Sequence, residues 1–434
     1  MPTDQSSNRL LVRLRRLVKA QPGELAALFW AFVYFFSLLC SYYIVRPMRD
    51  EMGIAGGVEN LQWLFTGTLL AMLAAVPLFG WVSSRFKRRH FLPAVYGFFI
   101  VNLLLFFVLF RSDITHAWVA RAFFIWASVF NLFVVSVFWS FMADIYSHEQ
   151  GRRLFGVISA GGSAGALIGP IATSALVVPI GFQNLLPVSA ALLLFAVYCI
   201  TRLRHWVETE HVQELNITAA SSQPLGGTAL GGLKAVSRSR YLLAISMGSV
   251  IASLMGTALY MFMTQLVGAE IAGADERTRL FGYIDGATNG LALVGQLLLV
   301  NRSVRRFGVG ATLAILPVVS LAGFAILAIS PALIAVAILQ AVRRGIGFGF
   351  AKPTNDMLYS VVTPEEKYKA KNFIDTAVYR GGDLIGTWSV KFVWALGISG
   401  ISLLMLPLAL AWLVIAVWLG RDYQRRDRLG IGGD

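Results

Sequence analysis

Twelve runs of about twenty mostly apolar residues, joined by shorter charged connections, fill this sequence near 24–45, 62–82, 91–110, 117–141, 155–178, 185–203, 241–266, 279–300, 309–329, 332–351, 373–396 and 400–419. As α-helix, each run is long enough to cross a hydrocarbon core of roughly 30 Å. Inside a bilayer, only helices and closed barrels satisfy every backbone N–H and C=O. The composition agrees: 57% of residues are hydrophobic and 14% charged, against roughly 45–50% and 25% in soluble domains. The expected fold is an all-α integral membrane protein with twelve transmembrane helices.

The chain also repeats itself. Ser84-Arg85-Phe86-Lys87-Arg88-Arg89 and Asn301-Arg302-Ser303-Val304-Arg305-Arg306 share one spacing, 217 residues apart, half of the 434-residue length. The same shift carries Glu149 to Glu366, Gly165 to Gly382, and the Leu-Ile-Gly at 167–169 to that at 384–386. Six spans in each half imply two pseudo-symmetric six-helix bundles, an arrangement that suits a transporter rocking about a shared site. The expected divisions are an amphipathic N-terminal segment at 1–23, bundles at 24–203 (24–45 being its first span) and 241–420, a Ser/Gly/Ala-rich linker at 204–240, and a tail at 421–434.

Positive charge reports orientation. Of 37 Lys and Arg, 27 fall on one side, in the segments before 24, at 83–90, 142–154, 201–240, 301–308 and 352–372, and after 419. By the positive-inside rule these segments, both termini and the linker are expected in the cytoplasm, which makes the chain a multi-pass protein of the inner or plasma membrane. The N-terminal segment places Arg9, Arg13 and Arg16 on one helical face and Leu10, Leu14, Leu17 and Val18 toward the other. It is expected to lie on the cytoplasmic leaflet and to be retained, not cleaved.

Enzyme chemistry finds little support. There is no Gly-Lys-Ser/Thr loop for nucleotide hydrolysis, and the five histidines lack metal-ligand spacing. Cys40 and Cys199 fall within apolar runs and read as core thiols. The basic loops carry no interleaved aromatic residues for reading bases, so nucleic acid is not an expected partner. No cofactor or metal is implied.

Ionisable residues inside spans are different, because each costs roughly 2.5–3.5 kcal/mol or more at a bilayer centre unless it is paired or wetted. The first span ends in Tyr42-Tyr43-Ile44-Val45-Arg46-Pro47-Met48-Arg49-Asp50-Glu51, where Pro47 is expected to break the helix. Guanidinium forks suit an anion-recognising mouth there, with Tyr43 beside Arg46 and Arg49. Asp285, Asn289 and Gln296 share a helical face in the eighth span, and Arg380 and Asp383, three apart in the eleventh, can pair, as a structural pair if it stays closed or as a gate if it opens to substrate. At least one of Arg343 and Arg344 is expected to face a central cavity, since adjacent residues point about 100° apart.

The paired loops resemble the signature loop of the major facilitator superfamily, with Ser84 and Asn301 at its acidic position. That resemblance gives Arg85, Arg89, Arg302 and Arg306 a gating role. Further segments resemble the ATP/ADP translocase family: the 43–50 segment, Phe138-Trp139-Ser140-Phe141, Lys352-Pro353-Thr354-Asn355-Asp356-Met357-Leu358-Tyr359, and Lys371-Asn372-Phe373-Ile374-Asp375. Arg49 keeps the cation of that family's first substrate lysine, and Asn355 stands at its second. No acid stands near Asn131 in the fourth span, and Gly256 stands where the seventh would carry one.

The resemblance implies a secondary transporter working by alternating access, without enzymatic activity. Its partners would be the bilayer and a small organic or phosphorylated anion, nucleotide-like, carried by a monomer. Tyr43, Arg46, Arg49, Asn131, Asp285, Asn289 and Asn355 are the candidate binding residues. Proton-coupled transport of another solute through Asp285 or Asp383, or a sensor or scaffold of the same fold, are the alternatives.

Overall fold

A computed structural model describes residues 21, 23–85, 88–112, 116–210 and 229–429. The N-terminal amphipathic segment up to residue 20 and most of the linker lie outside the described residues.

The described chain is helical throughout: α1 (Glu24–Ala55), α2 (Leu61–Arg85), α3 (Arg88–Arg111), α4 (His116–Ile145), α5 (His148–Ile180), α6 (Leu185–Glu210), the short α7 (Ala229–Arg238), α8 (Arg240–Glu270), α9 (Ala274–Val294), α10 (Val300–Ile329), α11 (Leu333–Ile346), α12 (Lys352–Leu358), α13 (Pro364–Phe373), α14 (Tyr379–Phe392) and α15 (Gly397–Arg428). Among the described residues, nine continuous helical stretches are long and apolar enough to cross a membrane. One of them, Ala274–Ile329, holds two spans, because Gly308 at φ +81° breaks α10 in a backbone conformation that side-chain-bearing residues rarely adopt. With Leu61–Arg85 and the 364–392 stretch, twelve crossings are accounted for.

Pro47 does not end the first helix. It lies inside α1, which continues to Ala55. Proline removes one intrahelical hydrogen bond, but neighbouring helices can supply donors in its place. The Thr173 hydroxyl lies 3.1 Å from the Gly169 carbonyl of its own helix and 3.4 Å from the Ile44 carbonyl, beside the Tyr43 carbonyl that Pro47 leaves without its intrahelical donor.

The chain divides into two compact units, one within 1–52, 70–219 and 274–286, the other within 53–69, 220–273 and 287–434. The first is built on aromatic packing. Tyr34 and Tyr96 join hydroxyls at 2.5 Å in the interior, Phe35 stacks on Phe138 at 4.0 Å between centroids, and Trp126 stacks on Phe130 at 5.2 Å. Gly161, Gly165 and Gly169 turn a bare face of α5 against Phe32, Phe36, Cys40 and Tyr43 of α1; a Cβ on Gly169 would lie 2.8 Å from that of Tyr43. Such contacts bring backbones together where a side chain would hold them apart. Ser147 and Gln150 close a capping box at the start of α5, and Gln150 and Arg153 both hold the buried Glu24 of α1.

In the second unit, Gly382 and Gly386 of α14 lie against Val250, Ser253, Leu254 and Thr257 of α8, and Gly310 of α10 meets Gly420 of α15. The helices here are less regular. Residues Gly295–Leu299, Gly347–Ala351 and Ile374–Val378 form single π-helical turns between α9 and α10, α11 and α12, and α13 and α14. The first two touch: a Cβ on Gly295 would lie 3.0 Å from Cα of Gly349, and Gln296 donates to the Phe348 carbonyl at 3.0 Å.

Candidate functional site

The 43–51 segment of α1 carries its charges on successive turns, and the first unit supplies a partner for each. Arg46 donates through Nη1 to Oδ1 of Asp285 on α9 at 2.8 Å, the aspartate side chain being 1% exposed. The Arg46 guanidinium stands 5.7 Å from the centre of the Tyr43 ring. Arg49 lies 3.9 Å over the Phe124 ring of α4, donates from Nε to Ser128 at 3.1 Å, and pairs with Asp50 at 3.0 Å. Glu51 is wholly buried and takes a fork from Arg277 of α9, Nε and Nη2 each at 2.6 Å from a carboxylate oxygen. Three guanidinium groups thus meet three carboxylates.

The first turns of α9 are fastened to the same unit by neutral contacts. Asp275 accepts from the Phe182 backbone N–H at 2.8 Å, the Ser174 hydroxyl donates to the Arg279 carbonyl at 3.2 Å, and Gly282 lies bare against Pro170 and Ser174. Sequence reading selected Asp285 but missed Arg277, because 275–279 reads as an ordinary connection. The available signal was a pair of arginines, Arg277 and Arg279, on the side of the membrane that carries few.

A second polar cluster lies on α8, α11 and α14 of the second unit. Asp383 accepts from Ser253 at 2.5 Å and from Thr257 at 3.4 Å, and meets Arg380 at 3.5 Å. Arg343, 7% exposed, donates to the Ala252 carbonyl and, at 3.3 Å, to the Ser320 hydroxyl. Further along, Lys352 pairs with Asp375 at 2.8 Å, and Lys371 with Asp356 at 2.8 Å. Asn355 is half-buried in α12 between these pairs in sequence, and Asn131 and Asn289 are half-buried in α4 and α9. Arg85, Arg302 and Arg306 are exposed, whereas the Arg89 side chain lies outside the described set. The structure therefore gathers Tyr43, Arg46, Arg49 and Asp285 in one unit, and Arg380 and Asp383 in the other.

The sequence pattern of the Major Facilitator Superfamily matches residues 25–387. The chain belongs to this superfamily. Among solved structures, a bacterial homologue of the iron transporter ferroportin in an inward-facing state aligns with 93% of this chain and 99% of its own at a TM-score of 0.64 and 11% identity. The nucleoside transporter NupG aligns with 94% of this chain and 100% of its own at a TM-score of 0.57 and 15% identity. At these identities the likeness is one of fold. Among curated proteins, a triacylglyceride transporter of Mycobacterium tuberculosis is 27% identical over 164 residues, 37% of this chain and 30% of the relative. One from Mycobacteroides abscessus is 29% identical over 161 residues, 36% and 29% respectively. The chain thus matches less than a third of the length of these relatives. It is a multi-pass membrane protein of a transporter superfamily, not of an enzyme family.

Proposed function

We propose that this transporter carries a small organic or phosphorylated anion, and that the anion competes with Asp285 for Arg46. The single-point Arg46–Asp285 contact is the observation that carries the reading. Glu51 and Arg277 hold each other through two parallel hydrogen bonds, whereas Arg46 meets Asp285 through Nη1 alone. A guanidinium engaged at one corner can offer its remaining N–H groups to a carboxylate or phosphate.

The exchange has a consequence for coupling. If the anion takes Arg46, Asp285 loses its close contact with that guanidinium at 1% exposure, which is unfavourable in a low dielectric. Uptake of a proton by Asp285 would offset part of that loss. Proton coupling and exchange are the two forms of alternating access that follow. Counterflow in proteoliposomes without a proton gradient separates them, and exchange for a nucleotide-like counter-substrate is the form of transport that the α1 motif suggests. Arg46→Ala is expected to abolish uptake while folding persists, with partial recovery in Arg46→Lys, which keeps charge but not the fork. Uptake unchanged in Arg46→Ala would remove the anion contact.

An apolar, lipid-like solute is the second reading. It is favoured by the balance of three cations and three carboxylates around α1, and by the triacylglyceride transporters among the relatives. Under that reading Arg49→Ala lowers stability but leaves substrate binding intact. The proposed setting is the inner or plasma membrane with both termini cytoplasmic and a monomeric carrier. Reporters fused after Arg89, within 216–230 and at the C-terminus should all report cytoplasm, and one near Asn184 the opposite side.

A further inference from the structure

α15 is longer than a bilayer requires. Its 32 residues make a rod of about 48 Å at 1.5 Å per residue, against a hydrocarbon core of roughly 30 Å. The apolar run ends at Leu419, and the helix continues to Arg428. Two sides of this extension are occupied by the second unit. On one, Arg426 donates to Asp422 at 2.7 Å and lies 4.5 Å over the Tyr241 ring of α8, and the Tyr423 and Ser360 hydroxyls are 3.5 Å apart. On the other, Gly420 meets Gly310 of α10, and the Gln424 amide lies 3.3 Å from where a Cβ on Gly308 would stand.

The face between these two sides carries Arg421, Arg425 and Arg428, all exposed. At about 100° per residue, the three fall within a stripe about 60° wide. Among the described residues, no carboxylate lies within ion-pair distance of any of them, whereas Arg426 next to them has Asp422. With Gln424 and Leu429 they line an open cavity of about 370 Å³. Toward the membrane the stripe continues in another chemistry. Leu403, Leu410, Val414, Val417 and Trp418 are all exposed, and they share one side of the helix with the three arginines, within about 100°.

Acyl chains lying along that apolar stripe would bring their phosphate to the arginines. The polar layer outside the hydrocarbon is about 5–8 Å deep on each side, and Arg421 and Arg425 follow Leu419 by about 3 and 9 Å along the axis. A guanidinium keeps its charge, and its planar fork receives a phosphate through parallel hydrogen bonds. Basic residues at this depth favour lipids with net negative charge.

We propose that Arg421, Arg425 and Arg428 form a head-group site for an anionic phospholipid, whose acyl chains lie on the apolar stripe from Leu403 to Trp418. The site lies wholly within the second unit and does not depend on which solute the protein carries.

The test is native mass spectrometry of the full-length protein in an uncharged detergent, titrated with dioleoylphosphatidylglycerol or dioleoylphosphatidylcholine. The parent is expected to bind the anionic lipid about fivefold or more tightly than the zwitterionic one, as one basic residue near a bilayer surface supplies about that factor. Arg421→Gln/Arg425→Gln/Arg428→Gln should weaken binding of the anionic lipid about tenfold or more, and the corresponding triple Lys variant should keep most of it. Lys234→Gln/Arg238→Gln/Arg240→Gln removes as many exposed charges from α7 and the start of α8, and should bind like the parent. Equal weakening in the two Gln variants would reduce the effect to diffuse charge attraction and overturn the site. A parent without preference for the anionic lipid also overturns it. Glycerophosphoglycerol, the same head group without acyl chains, should bind far more weakly; equal affinity would make this a site for a soluble anion and overturn the lipid assignment. If the triple Gln variant does not fold, Arg425→Glu alone carries the comparison, with binding weakened about fivefold or more, and unchanged affinity there overturns the proposal.

Discussion

The two units solve the same problem of buried charge differently. Around α1, each guanidinium has a carboxylate within 3.0 Å, and among the described residues of the first unit no π turn interrupts a helix. In the second unit, Asp383 leans on hydroxyls and Arg343 on a carbonyl and a hydroxyl, while three helices are interrupted by π turns. Since the sequence halves repeat at 217 residues, a common plan has diverged. Direct ion pairs fix geometry tightly. Neutral partners can be exchanged with less loss, and π turns are frequent where helices serve a function.

The comparison is broken most forcefully at the glycine face of α5. Gly165→Leu forces a branched side chain into the backbone of Phe36 and Cys40, so no folded, monodisperse protein is expected by size-exclusion chromatography. The next effect belongs to the Glu51–Arg277 fork. Glu51→Ala strands a guanidinium beside a buried void, and a loss of about 3–5 kcal/mol is expected for breaking such a pair. Thermal unfolding measures it, and a Tm within a degree of the parent would show that the first unit does not depend on its ion pairs.

Asp383→Asn comes third. Asparagine can still accept from Ser253 and Thr257, so the loss should stay near 1 kcal/mol, while Asp383→Ala, which removes the acceptor of Thr257 and leaves Ser253 only the Tyr379 carbonyl at 3.0 Å, should cost about 1–3 kcal/mol. Equal losses would place the charge, not the hydrogen bonds, in control. The smallest effect is expected for Arg380→Ala. Its side chain is 44% exposed and 3.5 Å from Asp383, and exposed pairs contribute about 0–1 kcal/mol.

Much of the fold was legible because hydrocarbon imposes length and polarity on every crossing. Ten of the twelve runs begin within seven residues of an observed helix start; the run near 309–329 begins at the Gly308 break, nine residues into α10, and that near 373–396 begins nine residues after α13 opens the same stretch. What composition could not show is how far helices continue beyond the apolar run. α1 adds ten residues past residue 45, because Asp285 and Arg277 of α9 neutralise Arg46 and Glu51, and Arg49 pairs with Asp50 and bonds Ser128 of α4. The site was half legible for a related reason. A charge within an apolar run is conspicuous, so Arg46, Arg49, Asp285 and Asp383 could be selected. Ser128, Ser253 and Thr257 could not, since hydroxyls in membrane helices usually satisfy their own preceding turn. Pairings across 239 residues, as between Arg46 and Asp285, leave no local trace.

The π turns bear on how this chain can be compared with others. Each inserts one residue into a helix, so everything after it rotates by about 100° relative to an uninterrupted helix. A relative lacking the turn at Gly347–Ala351 would present, at the position aligned with Asn355, a side chain on a neighbouring face. The same holds after Gly295 and after Ile374. A functional residue carried over from such a relative by ungapped alignment lands one position out of phase in the helical parts that follow these three turns.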